Sequence, residues 1–369
     1  MAGRWALDVP MPEEAKNLVV LDAEQDAERL ASMVDFCFCA VDMKKEEIRA
    51  LEEKYARLEC PIVSNNSAHR WTDDVPMVVP EINADHLAVI EAQRKRLGTR
   101  RGFIAVKSNC SLQSYVPALH PLKKYGLDKI LVCTYQAISG AGKTFQRWPE
   151  MVDNCIPYIG GEEEKSEQEP LKLWGRVEDG KIVRADGPSI TAQCFRVACQ
   201  DGHMAAVFMK FADGKAPSME QIKADWAAFR GVPQELELPS APSSSCTTLR
   251  SLTAPRPGWT GTWSTAWPCP WAACGRTPST TTSSCASPTT PCGALRAARY
   301  SWRSCCAPRD TWTDSISYIH KRDGLPELAG RLFYPQTCIK FRNWKFEMEV
   351  FRRRRNDFKF PSSTGHQNF

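Results

Sequence analysis

The sequence predicts an α/β fold built on parallel strands, followed by a smaller α+β unit. The first observation is an alternation of short apolar runs with amphipathic segments over residues 18–126, the pattern of βαβ units. The second is a change near Leu127, after which longer strands of mixed polarity, a tight turn and helices follow one another. The third is length, because 369 residues are enough for two domains with cores of their own.

The elements of the first unit are short. Residues 34–41 form a nearly continuous apolar run, as expected of a strand buried on both faces. The other segments predict strands at 18–21, 61–64 and 102–106 and helices at 22–33 and 44–58. A further helix is predicted to begin at Ser111, because apolar residues recur there at helical spacing: Leu112, Tyr115, Val116 and Leu119.

The second unit is predicted to contain strands at 129–135, 190–200 and 204–211 and helices at 162–172 and 218–229. Asp201 and Gly202 are a two-residue hairpin signal between the last two strands. In such a hairpin Arg196 and His203 project from one face of the sheet. A cation and an imidazole on one face suit an anionic substrate, and the alternative is an exposed polar face.

Cys110 is a candidate nucleophile. It follows the predicted strand 102–106 and a turn, and precedes the predicted helix. The N–H groups and positive end of a helix favour a thiolate and could hold an oxyanion. The alternative is a buried cysteine that only packs, since free cysteine is among the most buried residue types.

Composition argues against several function classes. The net charge of +5 is mild, and no run of about 18 apolar residues is present, so neither nucleic-acid binding nor a membrane span is expected. No signal-peptide pattern is found at the N-terminus, which predicts a cytoplasmic protein with reduced thiols. Cys37, Cys39 and Cys60 lack the spacing and partners of a zinc site, and no metal is expected.

The composition changes abruptly at residues 243–309. This segment contains no Asp, Glu, Lys, Val, Ile, Phe or Met, but seven cysteines and many Ser, Thr, Pro and Trp. Residues 242–312 are therefore expected to be low-complexity and irregular, and our hypothesis is a reading-frame error in the gene. Residues 313–369 form a basic tail, for which a solvated or disordered segment is favoured over a nucleic-acid contact.

Six motifs in order resemble a known family. Ser108–Asn109–Cys110–Ser111 resembles the nucleophile segment of aspartate-semialdehyde dehydrogenases, in their fungal and archaeal branch. The other matching segments are 63–70, 79–87, 135–142, 160–165 and 196–203. Each motif alone is weak, but six in the order of the family are specific.

The resemblance implies an incomplete Rossmann-type nucleotide-binding domain over residues 1–126 and an α+β catalytic and dimerisation domain over 127–241. Such a nucleotide-binding domain opens with a strand, a glycine-rich loop and a helix that bind phosphate. No such loop precedes Val34, so the chain is expected to start partway into this domain.

The activity implied is NADPH-dependent reductive dephosphorylation of L-4-aspartyl phosphate to L-aspartate 4-semialdehyde through a cysteine thioester. The product feeds lysine, methionine and threonine synthesis. The family resemblance also implies a homodimer or homotetramer. Two alternatives stay open: a related acyl-phosphate or acyl-CoA reductase of another substrate, and a non-catalytic remnant of the family.

The resemblance also implies roles for individual residues. Cys110 is the nucleophile, His203 the acid/base that takes the thiol proton, and Gln136 orients the intermediate. Substrate-binding roles fall on Arg196 for the α-carboxylate, Glu169 for the amino group, Lys172 and Arg70 for phosphate, and Asn109 for positioning. Cofactor-binding roles fall on Ser139, Gly140, Ala141, Gly142 and Asn65.

Overall fold

The computed structural model describes residues 10–11, 13–238, 241, 245–248, 271–276, 282–287, 337–342 and 347–352. Among these the α-helices are α1 Glu13–Lys16, α2 Ala27–Met33, α3 Lys45–Arg57, α4 Pro80–Asn83, α5 Ile90–Leu97, α6 Val116–Leu119, α7 Glu162–Leu173, α8 Met219–Ala228 and α9 Val232–Glu235. Short 3₁₀ helices lie at Ala84–Val89, Leu112–Ser114, His120–Tyr125, Ile138–Ala141 and Pro149–Met151.

The strands fall into two larger sheets and one two-stranded ribbon. The first eight are β1 Val20–Asp22, β2 Phe36–Cys39, β3 Ile62–Ser64, β4 Met77–Val78, β5 Ile104–Lys107, β6 Leu127–Gln136, β7 Cys155–Ile156 and β8 Arg176–Glu178. The others are β9 Lys181–Val183, β10 Ser189–Val197, β11 Met204–Phe211, β12 Thr247–Thr248, β13 Trp271–Arg276, β14 Thr282–Ser287, β15 Thr337–Arg342 and β16 Glu347–Arg352.

The first sheet has the strand order β1-β16-β15-β2-β3-β5-β4. Strands β2, β3, β5 and β4 are parallel, as the alternating pattern predicts. Strand β15, which was not predicted, is also parallel to β2, and β16 is antiparallel to both of its neighbours. Strands β3 and β5 are buried on both faces apart from Lys107, which explains their continuous apolar sequence. The carboxyl ends of β2, β3 and β5 therefore lie at one edge of the sheet.

Helix α3 covers this sheet through an apolar stripe. Ile48, Leu51 and Tyr55 are buried on it at helical spacing. The Glu47 carboxylate accepts a hydrogen bond from the backbone N–H of Lys44 at 3.1 Å, which caps the first turn. The Tyr55 hydroxyl donates to the carbonyl oxygen of Ala23 at 2.7 Å and fixes α3 against the turn before α2.

The second sheet has the order β12-β13-β14-β11-β6-β10-β7. The predicted hairpin is wrong, because β10 pairs parallel with β6 and β11 pairs antiparallel with the other edge of β6. The connection between β10 and β11 crosses the end of β6 instead of turning tightly. It is held there by bonds from the N–H of Ile138 to the carbonyl of Cys199, 2.9 Å, and from Ser139 to Gln200, 3.2 Å.

The continuous helix predicted after Ser111 is also wrong. A 3₁₀ turn and the four-residue helix α6 take its place, separated by Tyr115 at φ −134°. Pro117 and Pro121 follow and lack the N–H that a longer helix would use. The apolar spacing is satisfied all the same, because the predicted residues are buried: Leu112, Tyr115, Val116 and Leu119.

Helix α8 packs against the first unit, and its bounds confirm the helix predicted at 218–229. Its capping residue Ser218 accepts a hydrogen bond from the N–H of Gln221 at 3.2 Å. The indole N–H of Trp226 donates to the carbonyl of Ala118 in α6 at 2.7 Å, and the Trp226 ring is fully buried. The unit that follows residue 127 is thereby packed against the segment after Cys110.

The part of the chain after residue 242 is described only at strands β12 to β16 and at Ser245 and Cys246. The rest of the expectation for 242–312 and 313–369 lies outside the described residues, and the domain boundaries stay a prediction. None of the helices in the described ranges has both the length and the apolar character that crossing a membrane demands.

Candidate active site

Cys110 lies three residues beyond the end of β5 and is partly exposed. Its neighbour Asn109 is held by its backbone and by its side chain. The backbone N–H of Asn109 donates to Oε2 of Glu169 at 2.7 Å. The Asn109 Oδ1 atom accepts from the N–H and the hydroxyl of Ser111, each at 2.8 Å. The turn that presents the sulfur is therefore held by side chains rather than by a long helix.

Glu162, in the first turn of α7, is the hub of a polar cluster beside this turn. Its carboxylate accepts from Nδ2 of Asn109 at 2.9 and 3.1 Å, from Nε2 of Gln136 at 3.2 Å and from Nζ of Lys165 at 2.6 Å. Burial raises the pKa of Glu162, but these bonds, led by Lys165, outweigh it and lower the pKa overall. The carboxylate is thus an anion at neutral pH.

Arg196 and His203 meet at the backbone of Ala137, which follows β6. The Ala137 N–H donates to Nδ1 of His203 at 3.0 Å, and its carbonyl accepts from Nη1 of Arg196 at 2.8 Å. Both side chains are buried: His203 is 2% exposed and Arg196 is 7% exposed. The two residues come together as predicted, although β6 and not a shared hairpin brings them there.

The imidazole of His203 is neutral, and its hydrogen lies on Nε2. Burial, followed by the charge of Arg196, lowers the pKa of His203 to about 3. A backbone N–H can only donate, so Nδ1 accepts from Ala137 and the single ring hydrogen must be on Nε2. The predicted role of His203 as acceptor of the thiol proton does not fit this tautomer, because Nε2 has no free lone pair.

The sulfur of Cys110 lies within electrostatic reach of two cations. Burial lowers the pKa of Arg196, and the charges of Glu162 and then Cys110 raise it. Burial lowers the pKa of Lys107 to about 8, and Cys110 is the strongest of the charges that oppose this shift. The structure therefore brings Cys110, Arg196 and His203 into one neighbourhood, with Lys107 beside them.

Glu169 and Lys172 do not fit the substrate-binding roles predicted for them. Glu169 is buried, and its two oxygens accept hydrogen bonds from Nη1 of Arg70, at 2.9 Å, and from the N–H of Asn109, at 2.7 Å. The Lys172 ammonium donates all three of its hydrogens to backbone carbonyls, those of Arg70, Thr72 and Val75, at 2.6, 3.0 and 3.1 Å. The ammonium therefore has no hydrogen left for a ligand, and the carboxylate is buried with a protein donor on each oxygen.

Arg70 is also largely committed to the protein. Its Nε donates to the carbonyl of Lys107 at 3.0 Å and its Nη1 to Glu169, which leaves Nη2 for a ligand. Gln136 is buried at the end of β6, where its Nε2 donates to Glu162 and, at 3.3 Å, to the Thr134 hydroxyl. Both residues brace the loop around Cys110.

The segment 139–142 comprises most of the 3₁₀ turn Ile138–Ala141 and its C-cap Gly142, and it lies over Arg196 and His203. The buried Oγ of Ser139 has no hydrogen-bond partner among the described residues, and Gly142 has φ +69°. A Cβ at Gly140 would lie 2.8 Å from Nη1 of Arg196 and 2.8 Å from Cε1 of His203. An unsatisfied hydroxyl beside a glycine that allows close approach fits the edge of a ligand such as a nicotinamide.

Asn65 lies elsewhere, at the carboxyl end of β3. Its backbone N–H donates to the carbonyl of Cys39, the last residue of β2, at 2.8 Å, and it is partly exposed. In open α/β sheets, nucleotides bind at this edge of the parallel strands. The position suits the cofactor role predicted for Asn65. No group of three or more potential metal ligands occurs in the portion of the chain that the structure covers.

Three residues of the site were not predicted from the sequence: Lys107, Glu162 and Lys165. Glu162 and Lys165 occur in the matched segment 160–165, and they repeat the i, i+3 spacing of Glu169 and Lys172 on the same helix. Lys165 is 32% exposed, whereas Lys172 is buried. The two Glu–Lys pairs thus differ in whether the ammonium is exposed to a ligand, and the sequence does not reveal that difference.

Comparisons with known proteins agree with this site. Residues 2–90 match the family model "Semialdehyde dehydrogenase, NAD binding domain", and residues 119–250 match "Semialdehyde dehydrogenase, dimerisation domain". The chain is 36% identical over 254 residues to the aspartate-semialdehyde dehydrogenase of Methanothermobacter thermautotrophicus, covering 69% of this chain and 70% of that one. It is 34% identical over 260 residues to that of Aspergillus fumigatus, with the same coverage.

Among solved structures, the chain is similar to the aspartate semialdehyde dehydrogenase with NADP from Candida albicans. The two share 26% identity with a TM-score of 0.68, over 80% of this chain and 83% of that one. A second enzyme of this name, from Vibrio cholerae, has a TM-score of 0.52 at 19% identity and shows the common fold alone. The archaeal and fungal relatives confirm the resemblance drawn from the six motifs.

Proposed function

The chain belongs to the aspartate-semialdehyde dehydrogenase family, and we propose that it catalyses the NADPH-dependent reductive dephosphorylation of L-4-aspartyl phosphate to L-aspartate 4-semialdehyde. The observation that supports this most directly is the convergence of a partly exposed cysteine, a buried arginine, a neutral histidine and a Glu–Lys pair. The Rossmann-like fold and the similarity to a structure with NADP support the choice of cofactor.

The nucleophile of this proposal is Cys110. Its thiolate attacks the acyl carbon of the substrate, and the bond from that carbon to the phosphate oxygen breaks, leaving a thioester. We assign to the Nε2–H of His203, which has no hydrogen-bond partner among the described residues, the role of hydrogen-bond donor to the acyl oxygen. NADPH, if held at the turn from Ser139 to Gly142, would supply a hydride to the thioester, and release of the semialdehyde would return the Cys110 sulfur as thiolate.

The substrate is held by charges that match its own. Among the described residues Arg196 donates one hydrogen bond, from Nη1 to the Ala137 carbonyl, and its remaining N–H groups suit the α-carboxylate. We assign the amino group of the substrate to the Glu162 carboxylate and the phosphate to the partly exposed Lys165. These two replace Glu169 and Lys172, whose hydrogen bonds are already taken.

The nicotinamide side of the cofactor is assigned to the turn from Ser139 to Gly142, and Asn65 to the edge of the sheet where the rest of a nucleotide would lie. The unpartnered Ser139 hydroxyl supports the first assignment. The position of Asn65 at the end of β3 supports the second. Binding of NADPH to the purified full chain, measured by quenching of tryptophan fluorescence, tests both.

We also propose a cytoplasmic homodimer that uses the open face of the second sheet. Leu131 is 43% exposed there, and Tyr135 and Phe195 stack with ring centroids 6.0 Å apart. By strand register Cys133 and Phe208 share this face and are half-buried. A contiguous apolar surface of this kind is typical of an interface, and the segment lies within the match to a dimerisation domain.

The experiment that tests the activity follows NADP reduction by the full chain with aspartate semialdehyde and phosphate. The expected result is phosphate-dependent turnover that disappears in Cys110→Ala while the melting temperature is kept. The semialdehyde with one more methylene serves as the control substrate and should react more slowly, because Arg196 and Glu162 fix the distance from the α-carbon to the sulfur. Equal rates for both substrates would overturn the assigned specificity, and turnover in Cys110→Ala would overturn the mechanism.

A further inference from the structure

We propose that two residues of helix α3, Arg49 and Glu52, are positioning residues for the active site. They hold the segment 64–72 in the shape that presents Asn65 to the cofactor and Arg70 to phosphate. The inference rests on the proposed function, because it takes these two residues as ligand contacts. Arg49 and Glu52 lie outside the six family-like motifs, and they act through the segment rather than on a ligand.

The segment 64–72 starts at the carboxyl end of β3 and continues as tight turns. Backbone hydrogen bonds close these turns, from the N–H of Arg70 to the carbonyl of Ser67 at 3.3 Å and from the N–H of Thr72 to the carbonyl of His69 at 3.1 Å. Turns of this kind leave other backbone groups to be paired by neighbouring elements. Helix α3 is the element that pairs them here.

Glu52 holds the start of the segment. It is buried, and its Oε1 accepts a hydrogen bond from the Ser64 hydroxyl, whose oxygen accepts in turn from the N–H of Asn66 at 3.0 Å. The Asn66 side chain donates to the sulfur of Cys39 at 3.3 Å. The turn that contains Asn65 is therefore fixed by a continuous chain of hydrogen bonds that begins on α3.

The other oxygen of Glu52 faces the residue before Arg70. Its Oε2 lies 4.0 Å from Nε2 of His69, and both side chains are buried. Neither atom has a hydrogen-bond partner among the described residues, whereas Nδ1 of His69 is within 3.1 Å of the Thr72 hydroxyl. Buried polar atoms without a partner are rare and call for an explanation. We assign this pair the role of tying the far end of the segment to α3.

Arg49 holds the middle of the segment. Its Nε donates to the carbonyl oxygen of Ala68 at 2.7 Å, and a hydrogen bond from a charged donor is stronger than one between neutral groups. Arg49 and Glu52 are three residues apart on α3, so they share one face of the helix. The segment is thus held from α3 at its start, its middle and its end.

The placement of Arg70 depends on this support. Its Nε donates to the Lys107 carbonyl at 3.0 Å and its Nη1 to Glu169 at 2.9 Å, both beside the turn that carries Cys110. The guanidinium is planar, so these two bonds and the position of the backbone set the direction of the remaining Nη2. A misplacement of about 1 Å in such a group can lower a rate about 100-fold.

The experiment combines hydrogen exchange of the full chain, read by mass spectrometry in peptides that cover 64–72, with steady-state kinetics. Arg49 and Arg57 are a matched pair, because both are exposed on α3 and both donate to a backbone carbonyl at 2.7 Å, that of Ala68 and that of Leu97. Arg49→Met should raise exchange in 64–72 and the KM for phosphate about tenfold each, as the loss of one charged hydrogen bond implies. Arg57→Met should change neither.

A second arm tests Glu52. Glu52→Leu should raise exchange in 64–72 and the KM for phosphate at least as much as Arg49→Met. Glu52→Gln keeps an acceptor for the Ser64 hydroxyl and should restore both to within about threefold. Tyr55→Phe is the control for lost stability, because it removes a buried hydrogen bond from α3 to Ala23. It should lower the melting temperature and leave the segment and the KM as they are in the parent.

The pattern of kinetic constants separates positioning from a general loss of folded protein. The KM for the semialdehyde should stay unchanged in all variants, because Arg196 and Glu162 lie outside the segment. A fall in kcat alone in Arg49→Met and Glu52→Leu, with exchange in 64–72 and the KM for phosphate unchanged, would overturn the proposal. Equal effects of Arg49→Met and Arg57→Met would overturn it as well. If Glu52→Leu does not fold, the exposed arginine pair decides.

Absence of turnover in the parent protein would refute the proposed function. The comparison of exchange between Arg49→Met and Arg57→Met needs neither substrate nor cofactor, so it would still decide whether α3 holds the segment 64–72.

Discussion

Two lysines on helix α7 provide the sharpest test of the site. Lys165 and Lys172 are both three residues after a glutamate, but only Lys165 is partly exposed beside Cys110. We expect Lys172→Met to unfold the protein more easily and Lys165→Met to weaken phosphate binding with little loss of stability. The same substitution in two positions of one helix gives a matched comparison.

The magnitudes follow from the hydrogen bonds. Lys172 is the shared donor to three carbonyls of the segment 70–75, and a hydrogen bond to a charged group contributes about 1.5–3 kcal/mol. Since the carbonyls can relax or bind water, we expect Lys172→Met to cost about 3–5 kcal/mol and to lower the melting temperature by about 10 °C. Lys165 forms one partly exposed ion pair, for which about 0–1 kcal/mol is usual.

The assay is thermal unfolding of both variants, together with the KM for phosphate in the direction of semialdehyde oxidation. Lys165→Met should raise this KM by about tenfold or more, because a direct charge contact is lost. Lys172→Met, measured below its lowered melting temperature, should change the KM less than Lys165→Met does. A Lys172→Met protein of normal stability that no longer responds to phosphate would refute the reasoning.

Three further predictions use the same neighbourhood. Gly140→Ala places a methyl group against Arg196 and His203 and should lower kcat/KM by about 100-fold with a small change in melting temperature, whereas Gly187→Ala, with open space around it, should change neither; full activity of Gly140→Ala would contradict this. Because burial holds the pKa of His203 at about 3, the unfolded state binds a proton that the folded state does not. From pH 6.5 to 4.5 in urea titrations, the free energy of unfolding should therefore fall by about 2–3 kcal/mol more than in His203→Gln, which keeps the fall due to other buried histidines such as His120. Leu131→Glu should shift the full chain from dimer to monomer in analytical ultracentrifugation, and an unchanged dimer would place the interface elsewhere.

Most strands and the longer helices could be predicted from the sequence because their signals are local. Burial on two faces dictates the apolar runs of β2, β3 and β5, and Ser218 with Gln221 marks the start of α8. The connection after β10 could not be predicted in the same way. Asp201–Gly202 has the composition of a tight turn, but pairing with β6 on both of its edges satisfies more backbone groups than a two-stranded hairpin would.

The state of His203 also depends on distant parts of the chain. Its tautomer is set by the N–H of Ala137, which is 66 positions away, and its pKa by burial. A sequence motif can identify a histidine in a site, but it contains no information about which ring nitrogen is free. The motif alone therefore leaves open whether His203 meets a substrate as a proton donor or as an acceptor.

The choice between the two Glu–Lys pairs of α7 shows the limit of periodicity most clearly. Glu162 and Glu169 are seven residues apart, as are Lys165 and Lys172, and seven residues are close to two full turns of a helix. Both pairs consequently lie on nearly the same face, and no pattern of polar and apolar residues can separate them. They differ instead by about 10 Å along the helix axis, at 1.5 Å per residue, which sets one pair beside Cys110 and the other beneath residues 70–75. Asn109, next to Cys110, contacts both pairs: its backbone N–H binds Glu169 and its side chain binds Glu162. Glu169 therefore supports the turn that carries Cys110 from one side, and Glu162 contacts it from the other.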